Sequence, residues 1–345
     1  MQSRMFLLAL MALLSTAVAS ADPGADATHL VYVTNEDSND LTVIAAPSNE
    51  VVATIPVGKR PRGLQVSPDG RLIYVAVSGS PKCPPTMPDE ECEELVTDKS
   101  ADGIAEVDAA TRKVLRVLPG GSDPETFDIH WDTKRLYVSN EDSDEASILD
   151  LESSRILQTV AVGREPEGVR LTPDGAHFYV TAETDHNVTV VDASSGEVLR
   201  QIEVGDRPRD LVFTADGRRG FVSAEHGASI SVIDVAAGKP GGEIRLPEGS
   251  LPMGLALDED AGRLYVANGR GKTVSVIDLE NLAVLTTVEV GVRPWGIALS
   301  PDGRWLYTAN GPSNDVSVVD TSTMEVIARV PAGKSPWGVA IGPRP

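Results

Sequence analysis

The sequence is poor in cysteine, in aromatic residues and in basic residues. Its 345 residues include two cysteines, and phenylalanine, tryptophan and tyrosine together make up 4% of the chain. Lysine and arginine number 30 against 51 aspartates and glutamates, which gives a formal net charge of -21. A chain this acidic lacks the clustered basic residues that bind phosphate backbones or anionic membrane surfaces. The composition therefore argues against nucleic acid as a partner.

Long apolar runs are also scarce. One stands near the amino terminus, where Arg4 precedes the apolar residues 5–18 and the small residues 19–21 follow. A run of this length is too short to span a bilayer comfortably and is typical of a cleaved export signal. We predict a signal peptide over residues 1–21 and a periplasmic or secreted mature chain, residues 22–345, without membrane insertion.

The two cysteines, Cys83 and Cys92, lie nine positions apart in the segment SPKCPPTMPDEECEELVTDKS. In an oxidising compartment, two cysteines this close in sequence are typical of a local disulfide. A metal site would need further cysteine or histidine ligands nearby, and this segment contains none. We therefore predict a disulfide between Cys83 and Cys92 and no metal site in this segment.

A proline-containing motif recurs along the chain. The prolines stand at positions 61, 124, 166, 208, 252, 294 and 336, so the intervals are 42 residues except for the first, 63, and the fourth, 44. One insertion, at about residues 78–102, explains the longer first interval. Self-similarity at a fixed period of about 40 residues is the signature of a repeat fold.

Each repeat contains four short segments with strand character. In the last complete repeat these are RPWGIALS, WLYTAN, DVSVVD and EVIARVPAG, separated by turns such as PDGR and TSTM. The segments are rich in valine, isoleucine and tyrosine, whereas proline, glycine, asparagine and aspartate stand between them. Four strands in a repeat of about 40 residues predict a β-propeller, with one blade for each repeat.

The first and last repeats are incomplete in complementary ways. Residues 29–58 have the pattern of strands two, three and four without a first strand, and residues 335–345 have that of a first strand alone. Together they complete one blade, which closes the ring and pairs edges that would otherwise be open. We predict an all-β fold, a single domain that forms a seven-bladed β-propeller of four-stranded antiparallel blades closed by the C-terminal strand.

Two recurring residues are interpreted as structural. The asparagine that ends segments such as YVTN is predicted to hydrogen-bond the backbone of its own loop. The glycine of the Pro-X-Gly motif is predicted to let neighbouring blades approach each other closely near the channel. Neither residue is treated as a candidate ligand-binding residue.

The segments YVTN, YVSN, YVAN and YTAN stand at equivalent points of the repeats and resemble the YVTN-type seven-bladed propellers. A narrower resemblance follows the order of the blades. The segments RPRGLQVSPDGR, DPETFDIHWD, YVSNEDS, EPEGVRLTPDG, RPRDLVFTADGR, SAEHG and GPSNDVSVVD are similar to the propeller proteins associated with PQQ-dependent catabolism. That resemblance implies an exported accessory protein of PQQ-dependent alcohol oxidation, with a PQQ-dependent dehydrogenase or its cytochrome as partner. The cysteine-bearing insertion departs from the family pattern, which leaves the partner or ligand open.

The residue after each motif proline is a candidate site residue. The first strand of each propeller blade lines the central channel, so these residues form a ring around one channel mouth. The ring is charged in four successive blades and aromatic or thioether in three: Arg62, Glu125, Glu167 and Arg209, then Met253, Trp295 and Trp337. The loops between second and third strands add Glu183, Glu225 and His226 at the same mouth, and the insertion falls in one of these loops. Mixed apolar and polar clefts of this kind are typical binding sites.

Two interpretations of the rim arginines remain open. In the first, Arg62 and Arg209 receive ligand carboxylates through their guanidinium groups, and Trp295 and Trp337 stack on an aromatic ring. PQQ, a planar tricarboxylate, is then the leading small-molecule ligand, and a protein partner is the other candidate. In the second interpretation, the arginines pair with the two rim glutamates between them, and the ring of ion pairs is purely structural.

The sequence favours a binding protein over an enzyme. No nucleophile and base can be recognised as a pair, so no catalytic residue is assigned, and the CxxCH motif of covalent haem attachment is absent. The alternatives are a lactonase-type or lyase-type enzyme and an extracellular interaction scaffold. The enzyme would need an acid–base pair or a metal at the mouth, for which His226 with Glu225, joined by His186 and Glu183, is the candidate set. No metal ligand is assigned.

Overall fold

The computed structural model describes residues 28–82 and 95–345. The predicted signal peptide and both Cys83 and Cys92 lie outside the described residues, so the disulfide stays a prediction. The described residues form seven four-stranded antiparallel sheets, which are the blades of a ring. The predicted seven-bladed β-propeller is therefore confirmed.

The strands are numbered along the chain, and each blade is given from its innermost strand outward. Blade 1 consists of β28 (Pro336–Pro343), β1 (His29–Asn35), β2 (Asp40–Ala46) and β3 (Glu50–Pro56), and blade 2 of β4 (Leu64–Val66), β5 (Leu72–Val77), β6 (Gly103–Asp108) and β7 (Lys113–Leu118). Blade 3 consists of β8 (Pro124–His130), β9 (Arg135–Asn140), β10 (Glu145–Asp150) and β11 (Arg155–Ala161), and blade 4 of β12 (Pro166–Leu171), β13 (His177–Ala182), β14 (Asn187–Asp192) and β15 (Val198–Glu203).

The remaining blades follow the same order. Blade 5 consists of β16 (Pro208–Phe213), β17 (Arg219–Ala224), β18 (Ser229–Asp234) and β19 (Lys239–Arg245), and blade 6 of β20 (Pro252–Asp258), β21 (Arg263–Asn268), β22 (Thr273–Asp278) and β23 (Ala283–Glu289). Blade 7 consists of β24 (Pro294–Leu299), β25 (Trp305–Asn310), β26 (Asp315–Asp320) and β27 (Glu325–Pro331). Two 3-10 helices, Lys99–Ala101 and Glu141–Ser143, lie in loops. In the part of the chain that the structure describes, no helix is long and apolar enough to cross a membrane.

The core lies between the blades. The second and third strands of a blade are buried almost throughout, as in β13 and β14, whereas fourth strands such as β15 are largely exposed. A strand covered on both faces needs a nearly continuous apolar run, which explains the valine, isoleucine and tyrosine of these segments. Tyr137 of β9 is fully buried, and its hydroxyl donates to the carbonyl oxygen of Ala193 at 2.9 Å. This bond links blade 3 to blade 4.

Blade 1 is assembled from strands at the two ends of the described chain. β28 pairs with β1 in antiparallel register, with Leu30 opposite Gly342 and Val33 opposite Val339. The backbone N–H of Gly338 donates to Thr34 Oγ1 at 2.8 Å. The predicted closure of the ring by the C-terminal strand is confirmed.

The glycine of the Pro-X-Gly motif lies where neighbouring blades touch. The backbone N–H of Gly63 in blade 2 donates to the carbonyl oxygen of Glu125 in blade 3 at 3.0 Å. A Cβ atom on Gly63 would lie 2.7 Å from that oxygen, and one on Gly254 would lie 2.5 Å from the carbonyl oxygen of Trp295. A side chain at these positions would push the inner strands apart. The predicted role of this glycine is confirmed.

The asparagine at the end of the second strands is structural, but its hydrogen bond differs from the predicted one. Asn140 Nδ2 donates to Ser147 Oγ at 2.8 Å, and Asn268 Nδ2 donates to Ser275 Oγ at 2.7 Å. Both asparagines are buried. The predicted bond to the loop backbone is wrong at these positions, because the side chain points along the hairpin to the third strand and not into the loop.

Every blade has an irregularity between its third and fourth strands. In blade 3, Ile148 lies opposite Gln158 and Leu149 opposite Ile156, so that Leu157 is an extra residue in β11. The same shift of register occurs in all seven blades. One extra residue of this kind is a β-bulge, which bends the strand and increases its twist.

Candidate ligand site at the channel mouth

The rim side chains are positioned by a second set of β-bulges. In blade 4, Pro166 lies opposite Ala182 and Val169 opposite Val180, so the inner strand has one extra residue just after its proline. The same shift occurs after the rim prolines of blades 3, 5, 6 and 7. A bulge redirects the side chain at the end of a strand. In these five blades the residue after the proline is thereby placed at the mouth of the channel.

Two cavities lie at this end of the channel. The mouth cavity has a volume of about 240 Å³, and the channel cavity beneath it has a volume of about 110 Å³. Of the predicted site residues, Arg62 and Glu125 line the mouth cavity and Met253 lines the channel cavity. Four others line both cavities and therefore mark the neck between them: Glu167, Arg209, Trp295 and Trp337. The structure brings all seven rim residues together.

Arg62 is surrounded by three carboxylates. Its guanidinium group forms ion pairs with Asp123 and Glu125, and its Nη1 atom lies 3.4 Å from Glu141 Oε2. The side chain of Arg62 is 3% exposed, so this charge depends on its partners and not on water. We call Arg62, Asp123, Glu125 and Glu141 the first rim cluster.

Arg209 has a matching environment in the next two blades. Its guanidinium group pairs with Glu167, with Glu183 Oε2 at 3.0 Å and with Glu225 Oε2 at 2.8 Å. Arg207 pairs with Glu183 and lies 3.4 Å from Glu225 Oε2. We call these five residues the second rim cluster. The sequence left two interpretations of the rim arginines open, and the structure contains the ion pairs of the second one.

Within each cluster, the pKa of one carboxyl group is raised and that of another is lowered. Burial, together with the negative charges of Glu167 and Asp123, raises the pKa of Glu141 to about 8. Burial and the neighbouring Glu183 raise the pKa of Glu167 to about 7, against the attraction of Arg209. Burial also opposes the ionisation of Asp123, but the charge of Arg62 outweighs it, and the pKa of Asp123 is lowered.

The raised pKa values predict a stability that falls with rising pH. A glutamate in the unfolded chain has a pKa of about 4.3. Protonated Glu141 and Glu167 therefore stabilise the fold fully below about pH 4.3, and this contribution is lost as the pH rises through their folded pKa values of about 8 and about 7. We expect the free energy of unfolding to decrease from about pH 5 to about pH 8 and to level off above. Urea denaturation across this range measures it.

The matched variants for this prediction are Glu167→Gln and Glu141→Gln. Each removes one titrating group while keeping its shape, so each is expected to flatten the slope. Glu203→Gln in the exposed strand β15 is the control and should leave the slope as it is. A slope that persists unchanged in the double variant would contradict the assignment.

The other half of the mouth is aromatic and basic. The ring centroids of Trp295 and Trp337 lie 5.6 Å apart with an interplanar angle of 31°. The guanidinium carbon of Arg293 lies 4.8 Å from the centroid of Trp295, and that of Arg209 lies 5.5 Å from it. Both distances are within the range of cation–π interactions. This half offers flat apolar surface and positive charge side by side.

Arg293 differs from the other basic residues of the mouth cavity. Each of the other five has a carboxylate partner: Arg60, Arg62, Lys82, Arg207 and Arg209. No carboxylate within residues 28–82 and 95–345 forms an ion pair with Arg293. Its contact with Trp295 leaves the donor groups of the guanidinium available to a ligand.

Sequence reasoning missed the residues that precede the rim prolines. All seven adopt positive φ values, between 41° and 58°: Arg60, Asp123, Glu165, Arg207, Leu251, Arg293 and Ser335. That conformation is uncommon outside glycine, and here it is repeated in every blade. The repeat register was the available signal, because in each repeat the residues on both sides of the motif proline belong to the same mouth turn.

His226 is not part of the two cavities. It is exposed, and its ring nitrogen lies 3.5 Å from Arg207 Nη1. Glu183 and Glu225 are buried and contact Arg209, whereas His186 Nδ1 lies 3.1 Å from Asp206 Oδ1. The candidate metal set of two histidines and two glutamates is therefore not assembled. Among the described residues, the group with metal-ligand spacing is Asp123, Glu125 and Glu141, and it already encloses Arg62.

The described ends of the insertion contact two different blades at the mouth. Lys82 lies 2.8 Å from Glu36 Oε2 of blade 1 and lines the mouth cavity. The hydroxyl of Ser80 donates to Asp142 of blade 3 at 2.7 Å, and Lys99 pairs with the same carboxylate. The described ends of the insertion thus lie beside the mouth, between β5 and β6.

Comparison with known proteins supports the fold and adds one partial family match. Residues 249–338 match the family described as the cytochrome D1 heme domain. Hydrazine synthase of Kuenenia stuttgartiensis has a similar structure, with a TM-score of 0.70, 22% identity and coverage of 90% of this chain and 99% of that chain. A putative 6-phosphogluconolactonase from Bacteroides uniformis has a TM-score of 0.73, 15% identity and coverage of 91% and 99%.

A third similar structure has a narrower overlap. Dihydro-heme d1 dehydrogenase NirN in complex with DHE gives a TM-score of 0.60 at 18% identity, covering 90% of this chain and 74% of that chain. At these identities the structures are similar in fold. No curated protein matches the sequence significantly.

Proposed function

We propose that this propeller is a binding protein whose channel mouth takes a planar, conjugated and anionic small molecule. The proposal rests on one observation: among the described residues, Arg293 is the basic residue of the mouth cavity that lacks a carboxylate partner. It lies beside Trp295 and Trp337, which offer aromatic surface. A ligand with an anionic group on a flat ring system satisfies both features at once.

The electrostatic surroundings of Arg293 support an anionic ligand. Burial lowers its pKa, and the positive charges of Arg209 and Arg270 lower it further, against the attraction of Glu225. Arg209 is already held by three carboxylates. A guanidinium that is partly buried near two others, without an acidic contact of its own, gains more from a ligand anion than a saturated arginine does. Arg293 therefore replaces Arg62 and Arg209 as the anion-binding residue in the proposal.

PQQ remains the small molecule to test first. The resemblance to the propellers associated with PQQ-dependent catabolism supports it, and so does the combination of carboxylates with a fused ring system. The mouth cavity of about 240 Å³ is smaller than the roughly 300 to 1,000 Å³ of pockets that enclose drug-sized ligands. PQQ would therefore insert one edge between Arg293 and the tryptophans and leave its opposite edge outside the cavity.

A haem-related ligand is suggested by the partial family match, but the residues do not fit an iron porphyrin as a resident cofactor. The matched segment contains Met253, Arg293, Trp295 and Trp337. Among the described residues, no histidine lines either cavity. The thioether of Met253, which could ligate iron, lines the channel cavity and not the mouth cavity. We assign no haem chemistry to this site.

The test is isothermal titration calorimetry with PQQ at physiological salt. Arg293→Gln is expected to weaken binding by about 1.5 to 3 kcal/mol, roughly ten- to hundredfold, which is the usual contribution of a hydrogen bond to a charged group. Arg304→Gln is the matched control, because Arg304 lies 4.5 Å from the ring of Trp305 on an exposed turn away from the mouth. Equal affinities for the two variants would reject the assignment of Arg293.

Absence of binding at millimolar PQQ would reject the small-molecule version. The protein-partner version would then stand, in which an acidic side chain of a PQQ-dependent dehydrogenase or its cytochrome contacts Arg293.

A lactonase-type enzyme is the second candidate function. It is supported by the two glutamates with pKa values of about 8 and about 7 at the mouth, which could transfer protons near neutral pH. If the wild type hydrolyses a lactone and Glu141→Gln abolishes this activity, the enzyme is favoured.

A further inference from the structure

The rim clusters contain more acidic groups than basic groups. The first has three carboxyl groups around one guanidinium, and the second has three carboxyl groups around two. If every group were ionised, the first cluster would carry two negative charges and the second would carry one. Apart from Glu141, whose side chain is 32% exposed, the carboxyl side chains of both clusters are at most 9% exposed.

Such an excess of buried charge is relieved by holding protons. In the first cluster, carboxylate oxygens of Asp123, Glu125 and Glu141 all lie within 4.8 Å of one another. Three carboxylates at this distance around a single guanidinium repel one another, and Asp123 and Glu125 are buried, so one carboxyl of the cluster keeps its proton. Glu141 is the group least tightly held by Arg62, at 3.4 Å. In the second cluster, Glu183 and Glu225 each contact both arginines, whereas Glu167 contacts Arg209 alone.

We propose that the mouth binds its anionic ligand together with protons held by Glu141 and Glu167, so that affinity falls as these two carboxyls ionise. This inference rests on the proposed function. The charged groups that face the two carboxyls come from four blades, and they are Arg62, Asp123, Glu125, Glu183, Arg207 and Arg209.

Position explains why these protons matter to a ligand. Glu167 lines both cavities at the neck, beside Trp295 and Trp337, and Glu141 lines the mouth cavity. In protonated form each can donate a hydrogen bond to a ligand oxygen, whereas in ionised form each repels a ligand anion. A bound anion in turn makes their ionisation harder. By linkage, affinity falls up to about tenfold per pH unit for each proton that must be retained.

The first experiment uses the protein without any ligand. Carbon-13 NMR of glutamate side-chain carboxyls is recorded from pH 5 to pH 9, and signals are assigned with Glu141→Gln and Glu167→Gln. Two carboxyls that titrate near neutral pH are the expected result, in line with pKa values of about 8 and about 7. If both titrate near the ordinary value of about 4.3, the stored protons do not exist and the inference is overturned.

The second experiment measures PQQ affinity by calorimetry from pH 6 to pH 9. We expect the wild-type affinity to fall by at least about tenfold over this range. The amide of Glu141→Gln or Glu167→Gln mimics the protonated carboxyl, so each variant should bind PQQ as tightly as the wild type does at pH 6. In the double variant, the affinity should no longer fall with rising pH. Glu203→Gln should retain the full fall. Affinity that does not change with pH would overturn the coupling even where PQQ binds.

The two experiments separate the inference from the proposed function. Ordinary glutamate titration with tight PQQ binding overturns the inference and leaves the proposed function standing. If Glu141 and Glu167 titrate near neutral pH but PQQ does not bind at any pH, PQQ is rejected as the ligand and the proposed coupling to it is overturned. That outcome supports only the stored protons. Near-neutral titration with pH-dependent binding supports both.

Discussion

Removal of residues 335–345 is expected to abolish the single cooperative unfolding transition of the ring. The deletion eliminates β28, the innermost strand of blade 1, and leaves the pairing edge of β1 open. It also removes Val339 and Ile341, and so uncovers the apolar cluster that includes Val31 and Val33. We expect a broad transition at lower temperature, or insoluble protein, because a closed ring depends on every blade interface. Differential scanning calorimetry measures the change.

The control for this deletion is removal of residues 344–345, which leaves β28 complete. That shorter deletion should retain a sharp transition. Addition of a synthetic peptide with the sequence of residues 335–345 should restore part of the lost stability of the long deletion, since the peptide can pair with β1. An unchanged transition in the long deletion would contradict the closure of the ring by this strand.

Replacement of Arg209 by methionine is expected to cost about 3 to 5 kcal/mol of unfolding free energy, because it leaves buried carboxylates without their counter-charge. Glu167, Glu183 and Glu225 all pair with this guanidinium, and its side chain is 8% exposed. Arg218→Gln is the control. Arg218 lies 3.8 Å from Asp216, and its side chain is 83% exposed. Exposed pairs of this kind contribute about 0 to 1 kcal/mol.

Urea denaturation of the two variants measures the difference. The combination of Arg209→Met with Glu167→Gln and Glu183→Gln should recover much of the loss, because the uncompensated charge is then removed. A cost for Arg209→Met as small as that of Arg218→Gln would show that the second rim cluster is hydrated and not a buried network.

The ring could be predicted from the sequence because each blade repeats the same local information. Strand segments, turn residues and the motif proline recur with one period, and the incomplete first and last repeats complement each other. The side of the channel on which the rim residues lie follows from the same register. These features depend on short stretches of chain, so no knowledge of distant contacts is needed.

The ion pairs at the mouth could not be settled in the same way, and pairing of the rim arginines with Glu125 and Glu167 stayed one of two open interpretations. Arg62 and Glu141 lie 79 positions apart in sequence, and Arg209 and Glu167 lie 42 apart. Whether such side chains meet depends on rotamers and on burial, which the repeat does not encode. His226 shows the same limit, since it occupies a mouth loop in sequence but is exposed beside Arg207 in the structure. Arg293 could have been identified from the sequence as a candidate site residue, because it directly precedes the rim proline Pro294.

The β-bulge in the outermost strand of every blade has a consequence for how separate molecules meet. The extra residues of these strands include Leu115, Leu157 and Leu285, which are 55%, 53% and 55% exposed. A flat edge strand with an exposed leucine at its centre would be a template for edge-to-edge aggregation. The extra residue twists the edge and interrupts its regular alternation, so a strand from a second molecule cannot continue the hydrogen-bond ladder in register. The backbone itself thus resists self-association at seven open edges, in addition to the repulsion between highly acidic chains.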